Sequence, residues 1–244
     1  MSALEELVGL KSTIEEKLTE LVGHEWQIRN GLTVPRTDDI VLRDGAVQLD
    51  AVYLYTDMMG STRLVSEFAP GTAAKVTRAF INTACRVIRN RDGHIRSFDG
   101  DRVMGIFVGA DKEGRAVRTA LEITYATDKL VWPALERRLP SLTRQGFKLR
   151  HVSGVAAGPV FMARTGIYDH ADLISIGSAA NVAAKLSDIR EDPQYRSYIT
   201  RSLYDAIPEH CAVTDGKVMW QAHRVPVNGE QLAVCRSNWE WPVT

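Results

Sequence analysis

Hydrophobic residues repeat with a helical period near the N-terminus and with alternating strand and helix periods after about residue 50. Residues 3–22 place leucine and isoleucine at three- and four-residue spacings, which predicts an amphipathic helix. This helix either packs on its own domain or pairs with a second copy as a short coil. Residues 23–48 are polar and contain Gly31 and Pro35, so we interpret them as a linker. We therefore divide the chain into residues 1–48, a helix and linker, and residues 49–244, one larger domain.

The larger domain alternates between the two periods in a recognisable order. The pattern predicts helices over 71–90, 112–138, 178–188 and 201–207. It predicts strands over 51–57, 147–156, 159–163, 172–176, 217–222 and 231–236, and a hairpin over 94–108 that turns at Asp99-Gly100-Asp101. This order is typical of an α+β fold, a ferredoxin-like βαββαβ sandwich with an extra C-terminal hairpin.

Composition narrows the classes of function. The chain has 244 residues, of which 45% are hydrophobic, and 30 basic residues balance 30 acidic ones. A balanced charge argues against a nucleic-acid partner or an anionic membrane surface. Three widely spaced cysteines argue against a disulfide framework, and no apolar run approaches the length of a membrane span. We therefore expect a cytoplasmic protein that binds neither nucleic acid nor membranes.

Two aspartates stand at positions where strands end or turn. Asp57 closes the strand over 51–57, and Asp101 lies in the hairpin turn. If the two strands are neighbours, both carboxylates meet at one edge of the sheet, where they repel each other unless a cation joins them. Mg²⁺ suits such a pair, since it leaves positions for water and substrate phosphates. The alternative is that Asp57 caps a helix and Asp101 is an ordinary turn residue.

The segment between these aspartates and a third segment add candidate ligands. Gly60 permits a tight backbone path, so the amides near Gly60, Ser61 and Thr62 are candidates to cradle phosphate oxygens. Further along, Asn181 and Lys185 are four residues apart on a predicted helix and share one face. The alternative for that pair is a solvated helix face.

Three motifs occur in order: YTDMMGST (55–62), FDGDRVMGIF (98–107) and ISIGSAANVAAKLSDI (174–189). With VSGVAAGPV (152–160) before the last of them, they resemble the class III nucleotide cyclases over about residues 50–236. The resemblance implies that residues 49–244 form a cyclase catalytic domain. It also implies a homodimer with two equivalent active sites at the subunit interface.

The resemblance implies a role for each matched position. Asp57 and Asp101 match the family's metal-binding aspartates, and Met58 matches the position whose carbonyl is a further ligand. Together they would hold two Mg²⁺ or Mn²⁺ ions per active site. Asn181 matches the asparagine that orients the ribose. Lys185 stands where the family usually has an arginine that contacts the transition-state phosphate. In the family, the residues at the positions of Asn181 and Lys185 come from the second chain of the dimer.

Two positions depart from that pattern in the phosphate region. The ammonium group of Lys185 keeps the positive charge but cannot form the two parallel hydrogen bonds of a guanidinium group. We therefore expect activity to be retained at lower efficiency. Pro226 falls where many relatives have a lysine for the terminal phosphates. Arg224 or His223 is a candidate substitute.

The positions that read a purine also depart from the family. Ser97 stands where adenylate cyclases have lysine and guanylate cyclases glutamate, and Ile174 replaces a common aspartate or cysteine. Tyr55 adds bulk to the wall of the base pocket. Loss of both purine readers resembles the pyrimidine cyclases of bacterial Pycsar anti-phage systems. That resemblance implies conversion of UTP to cyclic UMP, a signal read by a separate effector.

Other functions stay open at this stage. Ser97 can donate or accept a hydrogen bond, so CTP is the first alternative substrate to UTP. An adenylate cyclase with an unusual base pocket is the next alternative, and a catalytically silent nucleotide-binding module is the last. A diguanylate cyclase is excluded because DGDRV lacks the GGDEF-type hairpin. A polymerase is excluded because the chain is too short and its charge is balanced.

Overall fold

The computed structural model describes residues 3–167 and 169–243, with side chains from residue 9 onward. Its helices span Ala3–Gly23 (α1), Ser61–Glu67 (α2), Pro70–Asn90 (α3), Lys112–Tyr125 (α4), Trp132–Arg138 (α5), Pro140–Arg144 (α6), Ser178–Ser187 (α7), Arg201–Tyr204 (α8) and Glu209–Ala212 (α9). Its strands span Gln27–Asn30 (β1), Gly45–Met59 (β2), His94–Asp99 (β3), Arg102–Phe107 (β4), Arg150–Ile167 (β5), His170–Ile176 (β6), Ser197–Thr200 (β7), Val213–Thr214 (β8), Lys217–Val218 (β9), Gln221–Val227 (β10) and Glu230–Ser237 (β11).

The chain divides into two compact units, and the first comprises residues 1–49 and 161–176. In this unit β1 pairs in parallel with the start of β2, and β6 pairs antiparallel with the end of β5. The ring of Trp26 meets that of Phe161 edge-on, with centroids 5.2 Å apart. Strand β1 lies within the segment that the sequence analysis treats as a linker. The apolar stripe of α1 is exposed from Leu10 to Leu21.

The second unit comprises residues 50–160 and 177–244 and contains the main sheet. Strands follow one another in the order β10-β11-β7-β5-β2-β4-β3. The four strands of the predicted βαββαβ core are β2, β3, β4 and β5, with α3 and α4 as their crossover helices. Their spatial order, β5-β2-β4-β3, is that of the ferredoxin-like fold, and the C-terminal hairpin β10-β11 extends the sheet beyond β7. The predicted fold class is confirmed.

Helices α3 and α4 are held on the sheet by a continuous apolar core. In α3, apolar residues recur at three- and four-residue spacings and are buried, among them Val76, Phe80, Ala84 and Val87. They belong to one cluster with apolar side chains of the central strands, such as Leu54 of β2. This packing fixes β2 and therefore the position of the strand end that carries Asp57.

Strand β7 in the main sheet was not predicted, and two predicted elements take a different form. The strands expected over 147–156 and 159–163 form one strand, β5. Pro159 lies between residues 153–155, which pair with β7, and Phe161, where the pairing with β6 begins. Neither of these two pairings therefore needs the missing N–H. The helix expected over 112–138 contains a π-helical stretch, Ala126–Val131, between α4 and α5.

Helix α7 lies unusually close to β5 at Gly154. A Cβ built on Gly154 would come within 2.2 Å of the Ala183 carbonyl oxygen and 2.6 Å of both Leu186 Cβ and the Ser187 amide nitrogen. Only glycine therefore permits this approach of helix and strand. The contact sets the height of α7 above the sheet.

A buried histidine makes the stability of the fold depend on pH. His151 on β5 has no exposed surface, its Nδ1 has no hydrogen-bond partner, and burial followed by the charge of Arg196 lowers its pKa to about 3. Between pH 6.5 and 3 the unfolded chain binds a proton at His151 that the folded chain does not. The free energy of unfolding therefore falls as the pH is lowered, by about 1.4 kcal/mol per pH unit from this group.

We expect His151→Gln to reduce this acid sensitivity, because glutamine does not titrate. Urea unfolding at pH 7.5 and pH 5 measures the difference in the free energy of unfolding, which should be smaller in the variant than in the wild type. The matched control is His210→Gln in α9, an exposed histidine that should leave the difference unchanged. An equal pH dependence in His151→Gln and the wild type would contradict the expectation.

Across the described residues, no helix combines the length and the apolarity that a bilayer crossing requires.

Candidate active site

The two candidate metal-binding aspartates lie at one end of neighbouring strands. Asp57, near the end of β2, is paired with Arg102, the first residue of β4. Asp101 immediately precedes Arg102, in the tight turn that Gly100 allows through its positive φ of 61°. The structure thus brings both carboxylates to one edge of the sheet, as the sequence predicts.

The surroundings of these carboxylates favour a bound cation. The side chain of Asp57 is 10% exposed. Burial raises the pKa of Asp57, and the Asp101 carboxylate raises it further, against the opposing charges of Arg102 and Arg190. The Oδ2 atom of Asp101 is buried and has no hydrogen-bond partner among the residues that the structure describes. A buried carboxylate oxygen without a donor is costly, and a divalent cation would supply the missing ligand.

The available donors suit a hard cation that keeps several positions open. Met58 follows Asp57 directly, and its buried side chain fixes the backbone beside the carboxylates. Within residues 3–167 and 169–243, no group of three or more His, Cys, Asp and Glu side chains could hold a metal ion. Two carboxylates and a carbonyl fit Mg²⁺ or Mn²⁺, because water and phosphate complete their coordination.

Two arginines that the sequence analysis did not select contact Asp57. Arg190 Nη2 donates to Asp57 Oδ2 at 2.6 Å, and Arg102 Nη2 lies 3.6 Å from the same oxygen. Arg102 also donates to Asp188, just beyond the end of α7. Arg102 adjoins Asp101 in the motif and could have been suspected for that reason. Arg190 is 133 residues from Asp57, and no spacing rule connects them.

The candidate residues of α7 face solvent. Asn181 is exposed, and within the described chain its side chain makes no hydrogen bond. Lys185 Nζ donates to Asn228 Oδ1 at 2.5 Å. Asn228 and Gly229 form the turn between β10 and β11 with positive φ angles, the arrangement expected of an Asn-Gly hairpin. The C-terminal hairpin therefore positions the ammonium group of Lys185.

A row of side chains crosses three strands beside the aspartates. Tyr55 on β2 pairs with Met104 on β4, and Met104 pairs with Ser97 on β3. Directly paired residues project on the same face of a sheet, so these three side chains share a face. The pairing runs regularly from the hairpin turn to Ser97, and a bulge follows between Ser97 and Ile95. Burial raises the pKa of the Tyr55 hydroxyl.

The remaining candidates lie on other elements. Gly60 adopts a φ of 80° before Ser61 and Thr62, which begin the seven-residue helix α2. Arg224 lies on the exposed part of β10 and donates to the Gln231 carbonyl across the hairpin at 3.4 Å. Ile174 belongs to the first unit, where it pairs with β5 and is 41% exposed.

Comparison with known proteins finds relatives that are similar over most of the chain. The chain is 40% identical over 198 residues to a uridylate cyclase of Rhodovulum sp. (strain MB263), covering 81% of this chain and 82% of that protein. It is 33% identical over 238 residues to a uridylate cyclase of Xanthomonas perforans, covering 97% and 100%. No family model matches the chain.

Solved structures show the same fold at low sequence identity. The guanylyl cyclase Cya2 superposes with a TM-score of 0.61 at 18% identity, covering 80% of this chain and 94% of that chain. The adenylyl cyclase CyaB from P. aeruginosa superposes with a TM-score of 0.59 at 17% identity, covering 79% and 95%. The motifs, the fold and the level of identity to these relatives agree, and the chain belongs to the class III nucleotide cyclases.

Proposed function

We propose that this cyclase converts UTP to 3′,5′-cyclic UMP and diphosphate. The observation that supports this most strongly is the pair of carboxylates at the sheet edge, in which Asp101 Oδ2 lacks a partner. The proposal for the base rests on Tyr55 and Ser97 and on the uridylate cyclases to which the chain is similar. In the reaction the 3′-oxygen attacks the α-phosphorus, the bond to the diphosphate oxygen breaks, and the 3′-hydroxyl proton passes to solvent.

In this mechanism the protein positions the substrate and balances its charge. Asp57, Asp101 and the Met58 carbonyl would hold two divalent cations, which would activate the 3′-hydroxyl and neutralise the triphosphate. Asn181 orients the ribose through its amide. Lys185, steadied by Asn228, offsets the negative charge that develops on the α-phosphate in the transition state. No covalent intermediate with the protein is required.

The base is recognised on the row formed by Tyr55, Met104 and Ser97. Tyr55 closes the side of the pocket where a purine would need its second ring. Ser97 offers a hydroxyl that can hydrogen-bond to a pyrimidine edge. A site whose polar groups match one base discriminates against another that leaves them unpaired.

A panel of nucleotides tests this proposal. Purified protein is incubated with UTP, CTP, ATP or GTP and Mn²⁺, and the products are separated by chromatography. We expect cyclic UMP to form at least about tenfold faster than any other cyclic nucleotide. A preference for CTP or ATP would assign the site to cytidylate or adenylate cyclisation. Absence of any product would leave a nucleotide-binding module.

We also propose that the active sites are shared between the two chains of a homodimer. The side chain of Asn181 makes no hydrogen bond to the described residues and faces solvent, so it is available to a substrate bound on a second chain. Two equivalent sites would then form, each with the aspartates of one chain and α7 of the other.

Mixing two inactive variants should therefore restore activity. Asp57→Ala and Asn181→Ala each damage a different half of every site. Random exchange of equal amounts gives about half heterodimers, each with one intact site of two, so about a quarter of wild-type activity should return. Turnover is measured after subunit exchange has been verified with two differently tagged variants. If activity stays at the level of the single variants, the shared site is refuted.

The cellular role that fits this product is a second messenger. We propose that the enzyme acts in the cytoplasm and that cyclic UMP is read by a separate effector in anti-phage defence. The support is the resemblance of the base-reading positions Ser97 and Ile174 to those of the Pycsar cyclases.

A further inference from the structure

The guanidinium group of Arg190 occupies the oxygen of Asp57 that a metal ion would bind. Arg190 Nη2 donates to Asp57 Oδ2 at 2.6 Å. Its Nη1 donates to the carbonyls of Ser187 at 2.6 Å and Ile189 at 3.1 Å, at the end of α7. Carbonyls at a helix C-terminus carry partial negative charge, so they hold a cation well. The arginine is thus anchored on α7 and reaches across to β2.

The charges in this cluster make that contact important. Three carboxylates, those of Asp57, Asp101 and Asp188, face two guanidinium groups, those of Arg102 and Arg190. Arg102 has Asp188 as a second anion, whereas the other described partners of Arg190 are neutral carbonyls. A divalent cation at Asp57 would repel both guanidinium groups. Arg190 would be displaced more easily than Arg102, because Arg102 keeps its ion pair with Asp188.

Arg190 also lines a cavity of about 290 Å³. The other charged residues of its lining are Lys185, Asp188 and Glu191, so two cationic and two anionic side chains face it. The side chain of Arg190 is 37% exposed, which leaves it room to turn. A guanidinium group binds phosphate oxygens in a bidentate fork.

We propose that Arg190 exchanges partners during substrate binding: it neutralises Asp57 in the metal-free protein and then binds the triphosphate of the incoming metal–nucleotide complex. This inference rests on the proposed metal site at Asp57 and Asp101. It adds Arg190 to Arg224 and His223 as a candidate for the phosphate contact that a lysine makes in many relatives at the position of Pro226.

Binding measurements on Arg190→Gln test both halves of the exchange. Without nucleotide, Mn²⁺ should bind Arg190→Gln about three- to tenfold more tightly than it binds the wild type, because the guanidinium group no longer competes for Asp57. The gain is limited because solvent partly screens the pair formed by Arg190 and Asp57. With Mn²⁺ present, 3′-deoxy-UTP should bind about tenfold more weakly, since one phosphate contact is lost. This analogue keeps the triphosphate and cannot cyclise. Titration calorimetry measures both affinities without turnover.

A matched control and a more conservative variant separate the effect of losing any ion pair from the effects of losing the charge or the planar group of Arg190. Arg201 binds Asp205 at 2.7 Å in α8, away from the cluster, so Arg201→Gln removes a similar ion pair and should change neither affinity. Arg190→Lys keeps a positive charge beside Asp57 but lacks the guanidinium group that binds phosphate through two parallel hydrogen bonds. Its Mn²⁺ affinity should stay near that of the wild type, while its affinity for 3′-deoxy-UTP should fall.

The possible failures are distinguishable. If Asp57→Asn binds Mn²⁺ as tightly as the wild type, the metal site itself is refuted, and the exchange with it. If Asp57→Asn loses Mn²⁺ but Arg190→Gln binds Mn²⁺ no more tightly than the wild type, only the exchange is refuted. Unchanged affinity of Arg190→Gln for 3′-deoxy-UTP also refutes it.

Discussion

Replacing either Asp57 or Asp101 by asparagine should lower the rate of cyclisation by at least about 10³-fold. Asparagine keeps the size of the side chain and removes the charge that binds the cation. The fold should survive, because burial and mutual repulsion already disfavour the ionised form of Asp57 in the metal-free protein. Initial rates with UTP and Mn²⁺, together with thermal unfolding curves, measure the two effects separately.

Asp92→Asn is the matched control for this change. Asp92 is exposed in the turn before β3 and has a φ of 54°, a conformation that asparagine adopts readily. Its activity should equal that of the wild type. Activity within tenfold of the wild type in both Asp57→Asn and Asp101→Asn would contradict a catalytic role for the cation site.

Gly154→Ala should have the largest effect on stability and should also displace the site. The new Cβ would lie 2.2 Å from the Ala183 carbonyl oxygen, so α7 must move away from β5. Such overpacking against backbone atoms costs on the order of 3 kcal/mol in the free energy of unfolding. Because Asn181 and Lys185 lie on α7, kcat should fall as well. Urea unfolding and initial rates measure the two changes.

Gly158→Ala tests whether closeness to α7 is the cause. Gly158 lies on the same strand, and its added Cβ would meet only the Ala179 Cβ, at an ordinary 3.7 Å. This variant should be nearly as stable as the wild type. Equal destabilisation by the two substitutions would mean that strand propensity, and not the helix contact, decides the outcome.

Much of the site was predictable because it depends on local signals. Asp57 ends an apolar strand and Asp101 occupies a glycine-containing turn, and the ferredoxin-like order makes their strands neighbours. Asn181 and Lys185 share a helix face by spacing alone. Arg190 and Asn228 were not predicted, since each joins the site through a contact between elements distant in sequence. Such contacts leave no period in the chain.

The same distinction holds for the fold. Helix α3 was predicted within one residue, because its apolar stripe is regular. Strand β1 was not predicted, since all four of its residues are exposed and give no alternation. The continuity of β5 through Pro159 depends on which neighbouring strands need its N–H groups, and only the pairing of the whole sheet decides that.

The bulge in β3 separates the part of the hairpin near the turn from the rest of the strand. Between the turn and the bulge, Asp99, Phe98 and Ser97 pair in sequence with Arg102, Val103 and Met104. The turn therefore fixes both the position of Asp101 and the residue opposite Met104. A one-residue insertion or deletion between Ile95 and Ser97 would be absorbed at the bulge, so this strand tolerates changes in length without altering either position.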